Sequence, residues 1–340
     1  MKFDIVSVGT ATVDVVARFA SGGVKNRLPK NSQQYFPLGA KIEMSDFSIS
    51  SGGGATNTAV TFSRMGLKTA AVFEVGVDVL GDSVIRELSD EGVTSFPSRN
   101  KKLPTAGSVI LVDQSGERTV LVHRGAANDL TLKEIPLSRI DASWMYIVPG
   151  GISYRTIVSL IRHAKKSGMK IALNPSDFFI RQGLKQIRAV IGEADMLLVN
   201  QEESFRITGV SGSKPLAVFA QLDKLVKGIL VVTNGNKGVR VFDGKRIWVA
   251  GTFKNKKVVD RLGAGDAFGS GFVAGLMRMG EYCAKGTCNP RAIEYAIRLG
   301  SANATAVVEA LGAKAGILTR EQFGSSKRWQ NLKITVKNIG

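Results

Sequence analysis

Cysteine, histidine, long apolar runs and acidic charge are what this 340-residue sequence has least of, and each shortage removes a class of function. Cys283 and Cys288 are too few to staple a small secreted domain. With only His123 and His163 elsewhere, no zinc-type ligand set stands at usable spacing. The two cysteines read as ordinary residues in or near a loop. No stretch of roughly 18 uninterrupted apolar residues occurs, so no membrane-spanning helix is expected. Met1 to Asp4 lead straight into a strand-like run without a signal-peptide layout, and the expectation is a soluble, cytoplasmic protein. Acidic residues number 28 against 46 basic ones, a net charge of +18. Such a surplus suits nucleic acid, an anionic membrane or anionic small molecules. The basic residues are spread along the chain, however. Their small clusters at Arg99 to Lys102, Lys254 to Lys257, and Lys327 with Arg328 lack the interleaved aromatics of a stacking platform. A solvated basic surface that attracts anionic small molecules is expected, with neither a membrane nor nucleic acid as partner.

Two nucleotide-binding fingerprints are also missing. A dinucleotide-dependent oxidoreductase needs Gly-x-Gly-x-x-Gly after its first strand, and Gly263, Gly265 and Gly269 have the wrong spacing and lie far from it. No Gly-x-x-x-x-Gly-Lys-Ser/Thr run is present, which sets aside a P-loop enzyme.

With 44% apolar residues, the chain can bury one large core. Short apolar runs at Ile5 to Val8, Met145 to Val148, Lys170 to Leu173, Met196 to Val199 and Ile229 to Thr233 read as buried strands. Helical patterns lie between several of them, clearest where Ile157, Leu160, Ile161 and Ala164 share one face. The alternation predicts an α/β protein with a doubly wound, mostly parallel sheet flanked by helices. Two regions break the rhythm. Residues 13–49 carry Gly22, Gly23, Pro29 and Pro37 with an alternating stretch from Lys41 to Phe47; residues 101–124 alternate on either side of a turn at Gln114-Ser115-Gly116. Both read as β-ribbons, either a small lid over a site or an edge decoration. The expected layout is a core of 1–12, 50–100 and 125–330, a lid of 13–49 and 101–124, and a C-terminal tail of 331–340. Late in the chain Val239 to Phe242, Asp243-Gly244 and Arg246 to Val249 spell a hairpin, and Trp329 suggests that part of the basic tail docks.

The most informative segment is Asp260-Arg261-Leu262-Gly263-Ala264-Gly265-Asp266, followed by Phe268, Phe272 and Leu276 on one helical face. Small residues let the N–H groups of Gly263, Ala264 and Gly265 converge at a helix N-terminus, where the dipole favours an anion. Asp266 is placed to accept a hydroxyl proton beside a developing phosphoryl charge. Spacing alone allows equally that it is an ordinary helix cap.

This run, with Ala267 and Phe268, resembles the C-terminal signature of the ribokinase family, the PfkB carbohydrate kinases, usually Asp-Thr-x-Gly-Ala-Gly-Asp. Gly52-Gly53-Gly54-Ala55-Thr56-Asn57-Thr58-Ala59, continuing to Arg64-Met65-Gly66, resembles its N-terminal signature. The resemblance extends from Asp14 to about Gly312 and implies a ribokinase-like fold. It implies Asp266 as catalytic base, an anion hole of Gly263, Ala264 and Gly265, and substrate contacts from Asp14, Gly53 and Asn57. It further implies magnesium at Asn200 and Glu203 of an Asn-x-x-Glu motif, and nucleotide binding by Thr233, Gly235 and Gly238. Asn303 falls where the family closes its adenine pocket, although an alanine-rich helix of this kind also serves plain packing. Gly76-Val77-Asp78, Gly81 and Gly92 match a family pattern and read as turns and caps. ATP and Mg2+ are the implied cofactors, with a monovalent cation such as K+ as an optional third. Arg261 in place of the common Thr, and a first turn at Gly9 to Asp14 without Asn, are departures that bear on substrate identity.

The expected reaction is phosphorylation of a hydroxyl of a small sugar of the ribose, fructose or keto-deoxy sugar acid type. A nucleoside is the alternative acceptor, with Tyr35, Phe36 and Phe47 as aromatic candidates. A phosphosugar comes third, through Lys41 and Arg124, and a non-catalytic binding relative is a further alternative. A homodimer paired through the lid strands is also consistent with the sequence.

Overall fold

The computed structural model describes residues 2–19, 36–112, 118–210, 214–281 and 285–339. Gly22, Gly23, Pro29, Tyr35, the turn at Gln114 to Gly116, and Cys283 lie outside the described residues. The strands are β1 (Phe3–Gly9), β2 (Thr12–Phe19), β3 (Met44–Gly52), β4 (Thr69–Gly76), β5 (Thr94–Asn100), β6 (Gly107–Val112), β7 (Arg118–His123), β8 (Ala142–Val148), β9 (Lys170–Leu173), β10 (Met196–Asn200), β11 (Ile229–Thr233), β12 (Val239–Phe242), β13 (Arg246–Ala250) and β14 (Ile334–Asn338). The helices are α1 (Gly54–Arg64), α2 (Val79–Asp90), α3 (Tyr154–Lys166), α4 (Asp177–Arg181), α5 (Leu184–Ile191), α6 (Gln201–Thr208), α7 (Pro215–Asp223), α8 (Ala264–Arg278), α9 (Pro290–Val308) and α10 (Arg320–Ser325).

Strands dominated by Val, Ile, Leu and Met, such as β1, β8, β10 and β11, are buried on both faces. Strands of that kind need helices above and below, and parallel crossovers provide them. Ten strands form one sheet in the order β14-β13-β12-β11-β10-β9-β8-β1-β4-β5. Pairing is parallel from β5 through to β11, and β12 to β14 add antiparallel strands at one end. On one face α3, α5, α6 and α7 set Leu160, Ile187, Ile207 and Phe219 against Val6, Leu197 and Leu230. On the other, α1, α8 and α9 set Phe62, Phe272 and Ile293 against Ile5, Tyr146 and Leu198. Helix α3 shows the local cause: Ser153 caps it by accepting from Thr156 N at 3.2 Å, and Ile157, Leu160, Ile161 and Ala164 form its buried stripe. The chain leaves β1 toward β4 and later returns to it as β8. A crevice therefore opens where Gly9 pairs with Val148, at the carboxyl ends of these strands.

The smaller sheet has the order β3-β2-β6-β7. Its two antiparallel ribbons, β2 with β3 and β6 with β7, are joined by parallel pairing of β2 with β6. Val16, Ile110 and Val112 on this sheet pack against Leu262 and Leu311 of the core, and Arg118 of β7 makes an ion pair with Asp260. Residues 334–338 of the segment set apart as a tail form β14 on the edge of the large sheet. Just before it, Trp329 is buried edge-on to Phe253, with ring centroids 5.1 Å apart.

Candidate active site

The three glycines that precede α1 are a close-packed junction. Gly53 has φ 96°, and a Cβ there would come within 2.8 Å of Ala11 Cα and even nearer to Thr10 O. Only glycine fits that approach. The first turn of α1 is held by Thr10, whose backbone oxygen accepts from Ala55 N at 3.0 Å and whose Oγ1 accepts from Gly54 N at 3.2 Å. This fixes the helix over the crevice and brings Asn57 into it. Asp14, on β2, is buried. Burial pushes its carboxyl pKa up, against the pull of a Ser108 hydrogen bond and the Lys314 ammonium; Asp260 adds to the rise.

Gly263, at φ 73°, is the N-cap residue of α8, with a left-handed backbone and Ala313 so close that a Cβ would lie 2.6 Å from that of Ala313. Asp266 sits inside the first turn of α8, so the reading of it as the helix cap is corrected. The Asn57 amide donates to Asp266 Oδ2 at 2.9 Å, joining the two sequence signatures across 209 positions. Asn57 Oδ1 is buried and has no hydrogen-bond partner among the described residues. Burial raises the Asp266 pKa, moderated by the Asn57 hydrogen bond and the Lys314 charge. The Ala264 N–H donates weakly to Arg261 O at 3.5 Å. A carboxylate with a raised pKa in the first turn of a helix is suited to taking a proton while an anion forms nearby.

Two cavities meet at this helix terminus. The larger, about 570 Å³, is lined by Thr233, Gly235, Gly238, Ala264 and Gly265, with Arg261 at its wall. The smaller, about 200 Å³, is lined by Asn174, Asn200, Glu203, Gly265 and Asp266. Asn303 reaches neither, and the expectation that it binds nucleotide is corrected. It is fully buried, donating to Thr61 Oγ1 at 3.2 Å and Ala267 O at 2.9 Å, and accepting from Leu318 N at 3.0 Å. Helical spacing turns Asn303 toward α1 and α8, while Ser301, Ala304, Thr305 and Val308 share the face that lines the larger cavity.

Asn200 and Glu203 form a capping box at α6: Asn200 N donates to Glu203 Oε2 and Glu203 N to Asn200 Oδ1, both at 2.8 Å. Asn200 thus spends its side-chain oxygen on the cap, and Glu203 Oε1 is left to accept a hydrogen bond or ligate a cation at the smaller cavity. Burial pushes the Glu203 carboxyl up to about 7, against the Asn200 hydrogen bond. Among the described residues no group of three or more His, Cys, Asp or Glu could hold a metal. A single carboxylate at a cavity that also presents Asn174, Ser176 and Asp266 nevertheless suits magnesium, which keeps most of its waters.

Sequence reasoning missed Lys314. It is buried, its Nζ bonded to Ser51 Oγ and 3.4 Å from Glu87 Oε1. A lysine just beyond a long helix gives no sign in sequence that it points inward. Ser108 was read only as part of an alternating strand, and its contact with Asp14 depends on the β2–β6 pairing.

The family model for the pfkB family carbohydrate kinase matches residues 5–320. The chain is 26% identical to the cytidine kinase of Thermococcus kodakarensis over 82% of its own length and 92% of that protein. It is 27% identical to the ribokinase of Haemophilus influenzae over 84% of this chain and 89% of that one. The solved structure of Arabidopsis thaliana ribokinase complexed with ribose and ATP superposes with a TM-score of 0.75 at 22% identity, covering 97% of this chain and 100% of that one. The core sheet, the separate four-stranded sheet and a family match over nearly the whole chain agree: this protein belongs to the pfkB family of carbohydrate kinases, enzymes that phosphorylate hydroxyl groups.

Proposed function

We propose that the protein transfers the terminal phosphoryl group of ATP to a hydroxyl of a small sugar of the ribose, fructose or keto-deoxy sugar acid type. The observation that carries this reading is the 2.9 Å hydrogen bond from Asn57 to Asp266, which links a polar crevice to the N-terminus of α8. Asp14, Asn57 and the backbone at Gly53 bind the acceptor under the small sheet. The buried Asn57 Oδ1, without a partner among the described residues, is an acceptor suited to a hydroxyl. Asp266 removes the proton of the reacting hydroxyl as its oxygen bonds to phosphorus and the bond to the departing diphosphate breaks. The N–H groups of Gly263, Ala264 and Gly265 take up the charge on the transferred phosphate. Thr233, Gly235 and Gly238 wall the nucleotide cavity, where Arg261 adds a cation. Glu203, steadied by Asn200, would hold magnesium, which when bound supplies positive charge to the phosphate oxygens.

A nucleoside acceptor is the second reading, supported by the similarity to a cytidine kinase. A second copy docking on the lid would cover exposed Phe47, Ile49 and Leu121, which share one face of the small sheet, and light scattering on the purified protein would read its mass. The acceptor is tested by measuring ADP release from ATP and magnesium across pentoses, hexoses, sugar acids, phosphosugars and nucleosides. A sugar-dependent rate supports the main reading; a rate with nucleosides alone selects the second.

A further inference from the structure

Asp260 opens the turn that carries Gly263, Ala264 and Gly265 into α8, and its side chain is only 8% exposed, so a carboxylate there needs partners. Two come from the core: Leu262 N donates to Oδ1 at 2.9 Å and Gly312 N to Oδ2 at 3.3 Å. The third is the Arg118 guanidinium of β7, which reaches Oδ1 from the outer strand of the small sheet, 142 positions earlier in the chain. The backbone of Asp260 is held as well. Val259 N and Asp260 N both donate to Val308 O, at 2.9 and 3.2 Å, and Val308 lines the larger cavity. Apolar packing follows the ion pair: Leu262 and Leu311 lie against Val16, Ile110 and Val112 of the small sheet. Gly312 is so near β3 that a Cβ on it would stand 3.1 Å from Ser50 Oγ. Strand register sets Arg118 opposite Val112 and Asp14 opposite Ser108, positions of β6 that fall on one face. Arg118 and Asp14 therefore project from the same face of the small sheet, about 13 Å apart along β6.

We propose that Arg118 is a positioning residue for phosphoryl transfer: through Asp260 it ties the small sheet, which brings Asp14 to the acceptor, to the turn that receives the transferred phosphate. This rests on the reading of the larger cavity as the nucleotide site. The small sheet and the turn then share one arrangement, and phosphate oxygens that settle on Gly263 to Gly265 also fix the sheet above the crevice. By linkage the effect is reciprocal, so an acceptor that holds the sheet down on Asp14 steadies the turn for the nucleotide. The pair suits this work because it is shielded on one side only. Asp260 is fixed by core backbone and cannot follow the sheet, whereas Arg118, 34% exposed, is held by the sheet alone and can let go.

The test is amide hydrogen exchange of the full chain with and without magnesium and AMP-PNP, a non-hydrolysable ATP analogue, in wild type, Arg118→Ala and Arg118→Lys. Unfolding temperature and the AMP-PNP dissociation constant are recorded for each. In wild type the analogue slows exchange in the turn at 261–266 and, by about fivefold or more, in β2 and β6, the low end of coupling between two sites. In Arg118→Ala the turn is still protected, while β2 and β6 exchange within about twofold of their rate without the analogue. Arg118→Lys, which keeps a cation, retains the response of β2 and β6. A merely structural ion pair would lower the unfolding temperature of Arg118→Ala and leave the analogue-induced slowing of β2 and β6 intact, and that result overturns the proposal. So does a wild-type small sheet that ignores the analogue, or a lysine variant that behaves like the alanine one. The two claims separate at the turn: protection there without any change in the small sheet refutes only the role of Arg118, whereas a wild type that does not bind AMP-PNP at all refutes the nucleotide site itself and the proposal with it.

Discussion

Replacing Asn57 with Ala isolates the contact on which the site turns. In the native protein the Asn57 amide donates to Asp266 Oδ2 at 2.9 Å and favours the ionised carboxylate. A hydrogen bond to a charged group contributes about 1.5–3 kcal/mol, which corresponds to roughly one to two pH units. Removing it leaves burial less opposed, so the Asp266 pKa rises further. The acid limb of kcat/KM, which reports the free enzyme's base, therefore moves to higher pH by about that interval. At a pH above both limbs the loss of the Asn57 Oδ1 contact remains, and it shows as a higher acceptor KM. The assay is coupled ADP release from about pH 5 to 9 under acceptor-limiting conditions. An acid limb unmoved within about 0.3 unit, with the acceptor KM unchanged, would refute the reasoning.

Asp266→Asn should unfold at a higher temperature than wild type near pH 8. The folded-state pKa of Asp266 lies above its unfolded value, so the buried carboxylate penalises the fold at high pH, and the advantage of the amide shrinks as pH falls through that pKa; thermal scans at several pH values check it. Glu203→Gln should raise the magnesium concentration needed for half-maximal rate by at least about tenfold, the scale of a lost metal-site contact. Because Glu203 titrates at about 7, the wild-type requirement for magnesium should also grow as pH drops below that value, in a metal titration at constant nucleotide. Asn303→Ala should lower stability by about 1–3 kcal/mol, from buried partners left unsatisfied, while the nucleotide dissociation constant stays at its wild-type value. Denaturant unfolding and calorimetric titration read the two effects separately.

The fold was legible wherever hydrophobic period decided it. The runs at Ile5, Met145, Lys170, Met196 and Ile229 all became strands of the parallel sheet, because a strand buried on both faces is written as a continuous apolar run. Strand β4 hid its nature in Ala70, Ala71 and Glu74, the last a fully buried carboxylate whose Oε1 accepts from Asn100 at 2.9 Å. Strand β14 was hidden by exposure: four of its five residues face solvent, so no buried face marks it as an edge strand rather than a tail. In the site, positions governed by local backbone demand were readable. Gly53, Gly263 and the Asn200–Glu203 box have local causes in φ values or in a three-residue spacing. Asn303 was misread because one residue of helical phase decides between cavity and core. Lys314 was invisible because its partners, Ser51 and Glu87, lie more than 200 positions away along the chain.

The central claim is that Asp266 is the base that deprotonates an acceptor hydroxyl. The most direct measurement compares wild type and Asp266→Asn for acceptor-dependent ADP release, with the ATP dissociation constant of each determined alongside. The account predicts turnover reduced by about 10²–10⁴-fold in the variant, the usual contribution of a general base, with ATP affinity within a few-fold of wild type. A variant that phosphorylates the same acceptor at a rate near wild type would contradict it.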